Sequence, residues 1–416
     1  MTPTQLLDIN LEENSDEISY SPFFAVSSTL QNAHEIGYLP LIPSSPTNPS
    51  VVKTAMKNLV KLADVVGMEH TIITADQLLY ELAYAIKKQH PEEFSSVILH
   101  LGGFHLAHNF MACITKVMRG SGAEEIVVAS KVLLEGTANK CFGDKCDYYQ
   151  TMHALTVLYE VMVLLHWEAF EAWCKKENKD VTCVEELNNL AGELCNSDTS
   201  REELLDVEPF FKSLQELLSQ FSKVHSHLKT HKLWETFLEM TGILLRFIQA
   251  QRDGSWLDYL QEIWKMLPFI VAAGHHKYGI CVPLYLKDMN ELQANAPDVY
   301  QQYIGHGDFT IRRSNGKHNA VSPDMVLEQT YNADVKQRQG LRGITLQPKA
   351  QTKWLYTEPV TAAVAGKFHQ MLGQVKLKIV GLTKTKKGKM LTQSTVQLLT
   401  LPTTRLTHSH APPRIC

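Results

Sequence analysis

Hydrophobic and polar positions in the first quarter of the chain switch between the periods of strands and helices. Runs of β-branched and apolar residues are typical of buried strands, and the stretches between them have apolar residues at helical spacing. The pattern predicts strand, helix, strand, helix and strand at residues 35–42, 51–66, 70–75, 77–89 and 96–101. Parallel strands need such helical crossovers, so this region is predicted to be a parallel α/β unit with right-handed connections.

The middle of the chain has almost entirely helical periodicity. Helices are predicted at 104–118, 148–177, 184–194, 201–251 with a break near 207–209, 256–273, 281–292 and 323–336. We expect five segments: a loose N-terminal stretch, the first part of an α/β core, a helical insertion, a return to the core and a basic disordered tail. Their bounds are 1–34, 35–146, 147–295, 296–372 and 373–416. The fold is predicted to be α/β but predominantly helical overall.

Charge is distributed unevenly along the chain. Residues 375–416 contain eight Lys or Arg and no acid, which leaves 32 basic against 44 acidic side chains in the rest. An acidic body argues against broad electrostatic binding of nucleic acid, although the tail could contact phosphates. Eight scattered cysteines and a polar, acidic N-terminus without a signal peptide favour a nuclear or cytoplasmic protein. The most apolar run, 154–167, is too short to cross a bilayer, so no membrane association is expected.

Two side chains that could take part in catalysis follow neighbouring predicted strands. Asp76 ends the strand at 70–75, and His105 follows Gly102 and Gly103 after the strand at 96–101. The carboxyl ends of parallel strands meet at one sheet edge, where α/β folds place their chemistry. The alternatives are structural: Asp76 would cap the helix that follows it, and His105 would bond to a strand carbonyl in the core.

This order of elements, with an acid ending the second strand, resembles the middle of an RNase H-like fold with a large helical insertion. The spacing of Asp76, Pro91, His105 and Asn109 is similar to that of Mutator-like transposases. Residues 327–336 (LEQTYNADVK) resemble the helix that carries the final acid of those enzymes. The resemblance implies an incomplete RNase H-like core and possible contact with DNA.

The resemblance also implies roles for particular residues. Asp76, Glu328 and His105 would be catalytic, and Asp76 and Glu328 would hold Mg²⁺ or Mn²⁺ for phosphoryl transfer. Asp324 lies one helical turn before Glu328, on the same face of the helix. The structural alternative for Glu328 is that it is an exposed glutamate on a helix, with no catalytic role. Residues expected to line the site or contact nucleic acid are His108, Asn109, His275, His276, Asn332 and Lys336.

Residues 36–356 are also similar to a group of uncharacterised, transposon-derived animal proteins. The matching segments include TADQLLY at 74–80, LGGFHLAHNF at 101–110, RGSGAEE at 119–125 and SPDMVLEQTYN at 322–332. That group has no assigned reaction, so the similarity implies a shared evolutionary origin but does not imply that this chain catalyses a reaction.

The chain departs from the nuclease pattern at its N-terminus. The acid of the first strand should precede residue 36, but Asp8 and Asp16 do not lie in β-branched apolar runs. We therefore expect a catalytically inactive, vestigial protein that engages nucleic acid and needs no cofactor. One alternative is an active metal-dependent transposase or nuclease whose first acid lies upstream or in another chain. The other is a helical module, residues 148–292, that binds protein partners.

Overall fold

The structure is a computed structural model, and it describes residues 33–34, 36, 42, 45–143, 146–180, 182, 208–314 and 318–329. The chain forms two compact units. One consists of Met1–Thr29 and Met111–Leu245, here called the helical unit. The other consists of Leu30–Phe110 and Arg246–Cys416, here called the α/β unit.

The α/β unit begins with the alternating elements that the sequence predicts. They are α1 (Pro49–Val66), β1 (Thr71–Ala75), α2 (Gln77–Gln89) and β2 (Val97–Leu101). Strands β1 and β2 pair in parallel and are buried throughout, with Ala75 opposite Leu101. The predicted parallel unit is thus confirmed over these elements, whereas the strand predicted at 35–42 lies largely outside the described residues.

The described residues of the helical unit form helices that range from seven to 29 residues in length. In chain order the next elements are α3 (Gly103–Met118), α4 (Ala123–Ala129), α5 (Glu135–Cys141), α6 (Tyr148–Lys176), α7 (Glu208–His225) and α8 (Lys229–Asp253). The boundaries between the two units fall within α3 and within α8. Phe170 and Trp173 of α6 pack with Leu214 and Phe221 of α7 in a buried cluster. The helix predicted at 184–194 lies outside the described residues.

The second half of the α/β unit contains four more helices, a short hairpin and a final helix among the described residues. They are α9 (Trp256–Ala272), α10 (His276–Asn290), α11 (Leu292–Asn295), α12 (Pro297–His306), β3 (Ile311–Arg312), β4 (Ala320–Val321) and α13 (Pro323–Gln329). Strands β3 and β4 are antiparallel. The part of the predicted last helix beyond residue 329 lies outside the described residues.

A buried aromatic cluster holds the later helices against β2. The His100 ring of β2 lies 5.6 Å from the ring of Trp256, 5.1 Å from that of Tyr285 and 5.8 Å from that of Tyr303. The Tyr285 hydroxyl lies 2.9 Å from Nε2 of His100. Burial lowers the pKa of His100 to about 4, so this imidazole is neutral near pH 7. These contacts lie within the α/β unit, which includes the residues from Arg246 onwards.

The described residues are predominantly helical, as predicted. Their only parallel strand pair is β1 and β2, and the RNase H-like core that the resemblance implies stays a prediction. Among the helices of the described ranges, none combines the length and apolarity that crossing a membrane requires.

Candidate functional site

The carboxyl ends of β1 and β2 bring two chain segments together. The Gly102 N–H, directly after β2, donates a hydrogen bond of 2.8 Å to the carbonyl of Ala75 at the end of β1. Asp76 follows Ala75, and α3 begins one residue after Gly102. This bond sets the start of α2 beside the start of α3. The sequence-based expectation that Asp76 and His105 share one sheet edge agrees with this geometry.

Asp76 forms the N-cap of α2. Its Oδ1 accepts a hydrogen bond of 2.9 Å from the Leu79 N–H, and its extended backbone is typical of a capping residue. The side chain is buried, and burial raises its pKa although the Leu79 N–H and the nearby His105 act in the opposite direction. The capping role proposed as the structural alternative is therefore present.

Asp324, in the first turn of α13, is fully buried and receives hydrogen bonds from the start of α3. Its oxygens accept from the N–H of Phe104 at 3.1 Å and the N–H of His105 at 3.0 Å. The His105 Nδ1 also lies 3.0 Å from Asp324 Oδ2, and the Ser322 hydroxyl donates to Oδ1. Both helix N-termini have partial positive charge, so one carboxylate stabilises α3 and α13 together.

Gly102 and Gly103, which precede His105, allow the segment 322–324 to pack closely against the start of α3. A Cβ on Gly102 would lie 2.8 Å from Cγ of Asp324, and a Cβ on Gly103 would lie 2.9 Å from Oγ of Ser322. The Gly103 N–H donates to that same Ser322 oxygen at 3.0 Å. The Gly-Gly pair therefore serves close packing of the 322–324 segment on the start of α3.

His105 and Asp324 form a charged pair. Burial alone would lower the pKa of His105, but the hydrogen bond and charge of Asp324, together with the charges of Asp76 and Glu328, raise it overall. Burial would raise the pKa of Asp324, and the bonds from His105 and Ser322 outweigh it and lower that pKa. The two pKa shifts, upward for His105 and downward for Asp324, both favour a protonated imidazole paired with a carboxylate. The His105 side chain remains 25% exposed, so its ring is accessible from one side.

Tyr278 adds a hydroxyl to the same edge. It donates a hydrogen bond of 3.3 Å to the His105 carbonyl. Burial, with the charges of Asp76 and Asp324, raises its pKa, so the hydroxyl stays protonated at neutral pH. Tyr278 thus fixes the backbone of α3 beside the charged pair.

The predicted lining residues are partly brought together. Asn109 Nδ2 lies 2.7 Å from Nδ1 of His275, the residue before α10. His108 stacks on Phe104 with ring centroids 6.2 Å apart, and His276 is exposed at the first position of α10. Glu328 is half-buried on α13 and acts on His105 through its charge. Asn332 and Lys336 lie outside the described residues.

These residues do not fit a preformed Mg²⁺ or Mn²⁺ centre. The Asp324 oxygens are taken by hydrogen bonds, and Asp76 caps α2. Among the described residues, Glu69, His70 and Asp298 are the one group of three whose ligand-type atoms all lie within 4.8 Å of one another. Glu69 and His70 directly precede β1, at the end of the strand opposite to Asp76, and Asp298 lies in the first turn of α12. The geometry at the carboxyl ends of the strands therefore supports no step through a metal.

The His105–Asp324 pair predicts a specific pH dependence. Because the folded pKa of His105 is above its ordinary 6.5, the pair stabilises the fold fully below about pH 6.5 and loses this contribution as pH rises through the folded pKa. Because the folded pKa of Asp324 is below 3.8, its contribution is full above about pH 4 and is lost at lower pH. Urea unfolding at pH 6 and pH 8 should show that His105→Gln costs more at pH 6. An equal cost at both values would contradict the charged pair.

Asp324 and Ser322 are structural determinants that the sequence patterns did not identify. Asp324 was noted as a second acid on the face of Glu328, and Ser322 was not singled out. The local signal was the segment Ser322-Pro323-Asp324, which is typical of a helix start. It could not indicate that a second helix, beginning about 220 residues earlier, shares the same carboxylate.

The fold and site define a predominantly helical protein in which two aspartates and a histidine organise helix N-termini at the end of a parallel strand pair. A family model described as a domain of unknown function (DUF8702) matches residues 23–380. The chain belongs to this family. No curated protein and no solved structure matches the chain.

Proposed function

We propose that this is a transposon-derived, RNase H-like protein that does not cleave nucleic acid and that binds it at the strand-end site. The order of β1, Asp76, α2 and β2, with His105 following, supports the descent. The observation that carries the loss of cleavage is the Asp324 carboxylate. It is fully buried and bonded to two backbone N–H groups, one hydroxyl and one imidazole, so it stabilises the fold and is not an open metal ligand.

Nucleic-acid binding is supported by the groups around this edge. His276 and Lys277 are exposed at the start of α10, next to the His275 that contacts Asn109. Phosphate contacts come from such cationic and hydrogen-bonding side chains and weaken with salt. The binding is therefore proposed to be modest, because the body of the chain is acidic.

The active-enzyme alternative has a specific basis and a specific weakness. Asp76 and Glu328 both raise the pKa of His105 through their charges, so both act on one group. However, a metal pair requires carboxylates that are free to bind ions about 4 Å apart, and Asp76 already accepts from the Leu79 N–H. In this alternative Asp76 would have to bind a metal ion while its Oδ1 caps α2.

The test combines cleavage and binding. Supercoiled plasmid is incubated with Mg²⁺ or Mn²⁺ and the full chain, its Asp76→Ala variant or its Glu328→Ala variant. We expect the same background nicking from all three. Nicking by the wild type that either substitution abolishes would establish the enzyme instead.

Fluorescence anisotropy with single- and double-stranded DNA at low salt tests the binding half. The double change His276→Ala and Lys277→Ala should weaken binding about threefold to tenfold, because two cationic or donor groups are lost. Lys140→Ala is the matched control, since Lys140 is exposed on α5 in the helical unit. No DNA binding by the wild type, or equal losses in both variants, would reject this interface.

A second candidate, the helical protein-interaction module, is favoured by one observation. Large apolar side chains on α9 and α10 are exposed, among them Leu257, Trp264, Val271 and Ile280. Solvated apolar residues that share one helix face indicate a contact surface more often than scattered ones do.

A further inference from the structure

Helix α9 exposes an apolar stripe on the face opposite its buried side. Leu257, Trp264 and Val271 are 60%, 64% and 54% exposed, and Pro268 is exposed on the same face. We call these four residues the Trp264 stripe. The opposite face is buried through Trp256, Tyr259, Ile263, Met266 and Ile270. Exposed Gln261 lies on the same face, between Leu257 and Trp264, so the solvated face of α9 is largely but not wholly apolar.

The spacing of the stripe matches helix-to-helix pairing. Leu257, Trp264 and Val271 are seven residues apart, which places them in a row along one side of the helix. At a rise of 1.5 Å per residue, the row is about 21 Å long. Such a row can cover a second helix of similar length.

The stripe is symmetric about its central tryptophan. Leu257 precedes Trp264 by seven residues and Val271 follows it by seven. An antiparallel second copy of α9 would therefore set Trp264 against Trp264 and Leu257 against Val271. A surface that complements itself in this way is what a twofold interface requires.

Charge favours the same orientation. Exposed Asp258 lies in the first turn of α9, whereas exposed His276 and Lys277 follow its C-terminal end. Antiparallel pairing brings the acidic end of one copy towards the basic end of the other. Parallel pairing would place like charges and like helix dipoles side by side.

We propose that a second copy of this chain docks antiparallel on the Trp264 stripe and forms a twofold dimer. The proposal rests on the second candidate function, protein interaction through the helices, and it shares His276 and Lys277 with the proposed DNA interface. A single pair of helices of this length buries an area at the low end of specific interfaces. The dimer is therefore a reversible one that forms with increasing concentration.

Sedimentation of the full chain from about 1 to about 100 µM tests the dimer. The wild type should shift from monomer to dimer, and Trp264→Glu should weaken the dimer at least about thirtyfold, because buried tryptophans dominate small interfaces. Val65→Glu is the matched control: Val65 is 82% exposed on α1, outside the stripe, and its change should leave the dimer intact. Circular dichroism confirms that each variant is folded.

A charge exchange tests the orientation. Asp258→Lys should weaken the dimer, and the addition of Lys277→Asp should restore it. A wild type that stays monomeric at the highest concentration, a Trp264→Glu variant as dimeric as the wild type, or an exchange that fails to restore the dimer would overturn the proposal. A wild-type dimer that Trp264→Glu weakens, that Val65→Glu leaves intact and that the charge exchange restores would support the proposal, whether or not the chain binds DNA.

Discussion

Replacing Asp324 with alanine is expected to lower the free energy of unfolding by about 3–5 kcal/mol. The carboxylate is fully buried, and its removal leaves the N–H groups of Phe104 and His105 without their acceptor. It also leaves the His105 imidazole without its counter-charge. The measurement is the midpoint and slope of urea unfolding at pH 6, where the charged pair is complete.

Two comparisons identify the source of this loss. Asp64→Ala removes an exposed aspartate from α1 and should change stability by less than about 0.5 kcal/mol. His105→Ala should cost less than Asp324→Ala, because the carboxylate keeps its backbone donors and the Ser322 hydroxyl. A cost below about 1 kcal/mol for Asp324→Ala would mean that this acid is not structural, and the case for a free, metal-binding carboxylate would be restored.

The start of the α/β unit was predictable because its signals are local. Asn48 caps the start of α1 and Gly67, in the left-handed conformation, ends it. An asparagine cap and a left-handed glycine are both signals that lie within a few residues of the helix end. Asp76 caps α2 in the same way. These features depend on hydrogen bonds between residues at most five positions apart, so one chain segment contains all the information.

The site itself was only half predictable for the opposite reason. Parallel pairing of β1 and β2 follows from their order, and it places Asp76 near His105. The partner of His105 is Asp324, which lies 219 residues away and shares no sequence period with it. Periodicity likewise predicted α9 and α10 as helices, but it could not show that Trp256 and Tyr285 pack on His100 of β2.

The arrangement of these acids bears directly on the proposed loss of cleavage. Each aspartate at the strand ends serves a helix N-terminus, Asp76 that of α2 and Asp324 those of α3 and α13. Residues that hold a fold together are constrained by stability alone. An acidic constellation can therefore persist after the chemistry that first required it is gone, and its presence in a sequence is weak evidence of catalysis.

Replacing Gly102 with alanine is expected to lower the free energy of unfolding by about 2–4 kcal/mol, through overpacking and the loss of hydrogen bonds. The new Cβ would lie 2.8 Å from Cγ of Asp324 and 3.2 Å from the Ala75 carbonyl oxygen. The carboxylate cannot turn away without losing its bonds to α3, because each of its oxygens is already held there. Gly136→Ala on α5 is the matched control, since nothing lies within 4 Å of a Cβ at that position.

The decisive measurement is the double substitution of Gly102→Ala with Asp324→Ala. If Gly102 is required because the carboxylate packs against it, the alanine at 102 should cost much less once that carboxylate is gone, and the two effects should fall short of additivity by about 1–3 kcal/mol. The remaining cost would come from the Ala75 carbonyl, which stays close to the new Cβ. Strict additivity would show that Gly102 is needed for its backbone alone, and the close packing of Asp324 on the end of β2 would then be refuted.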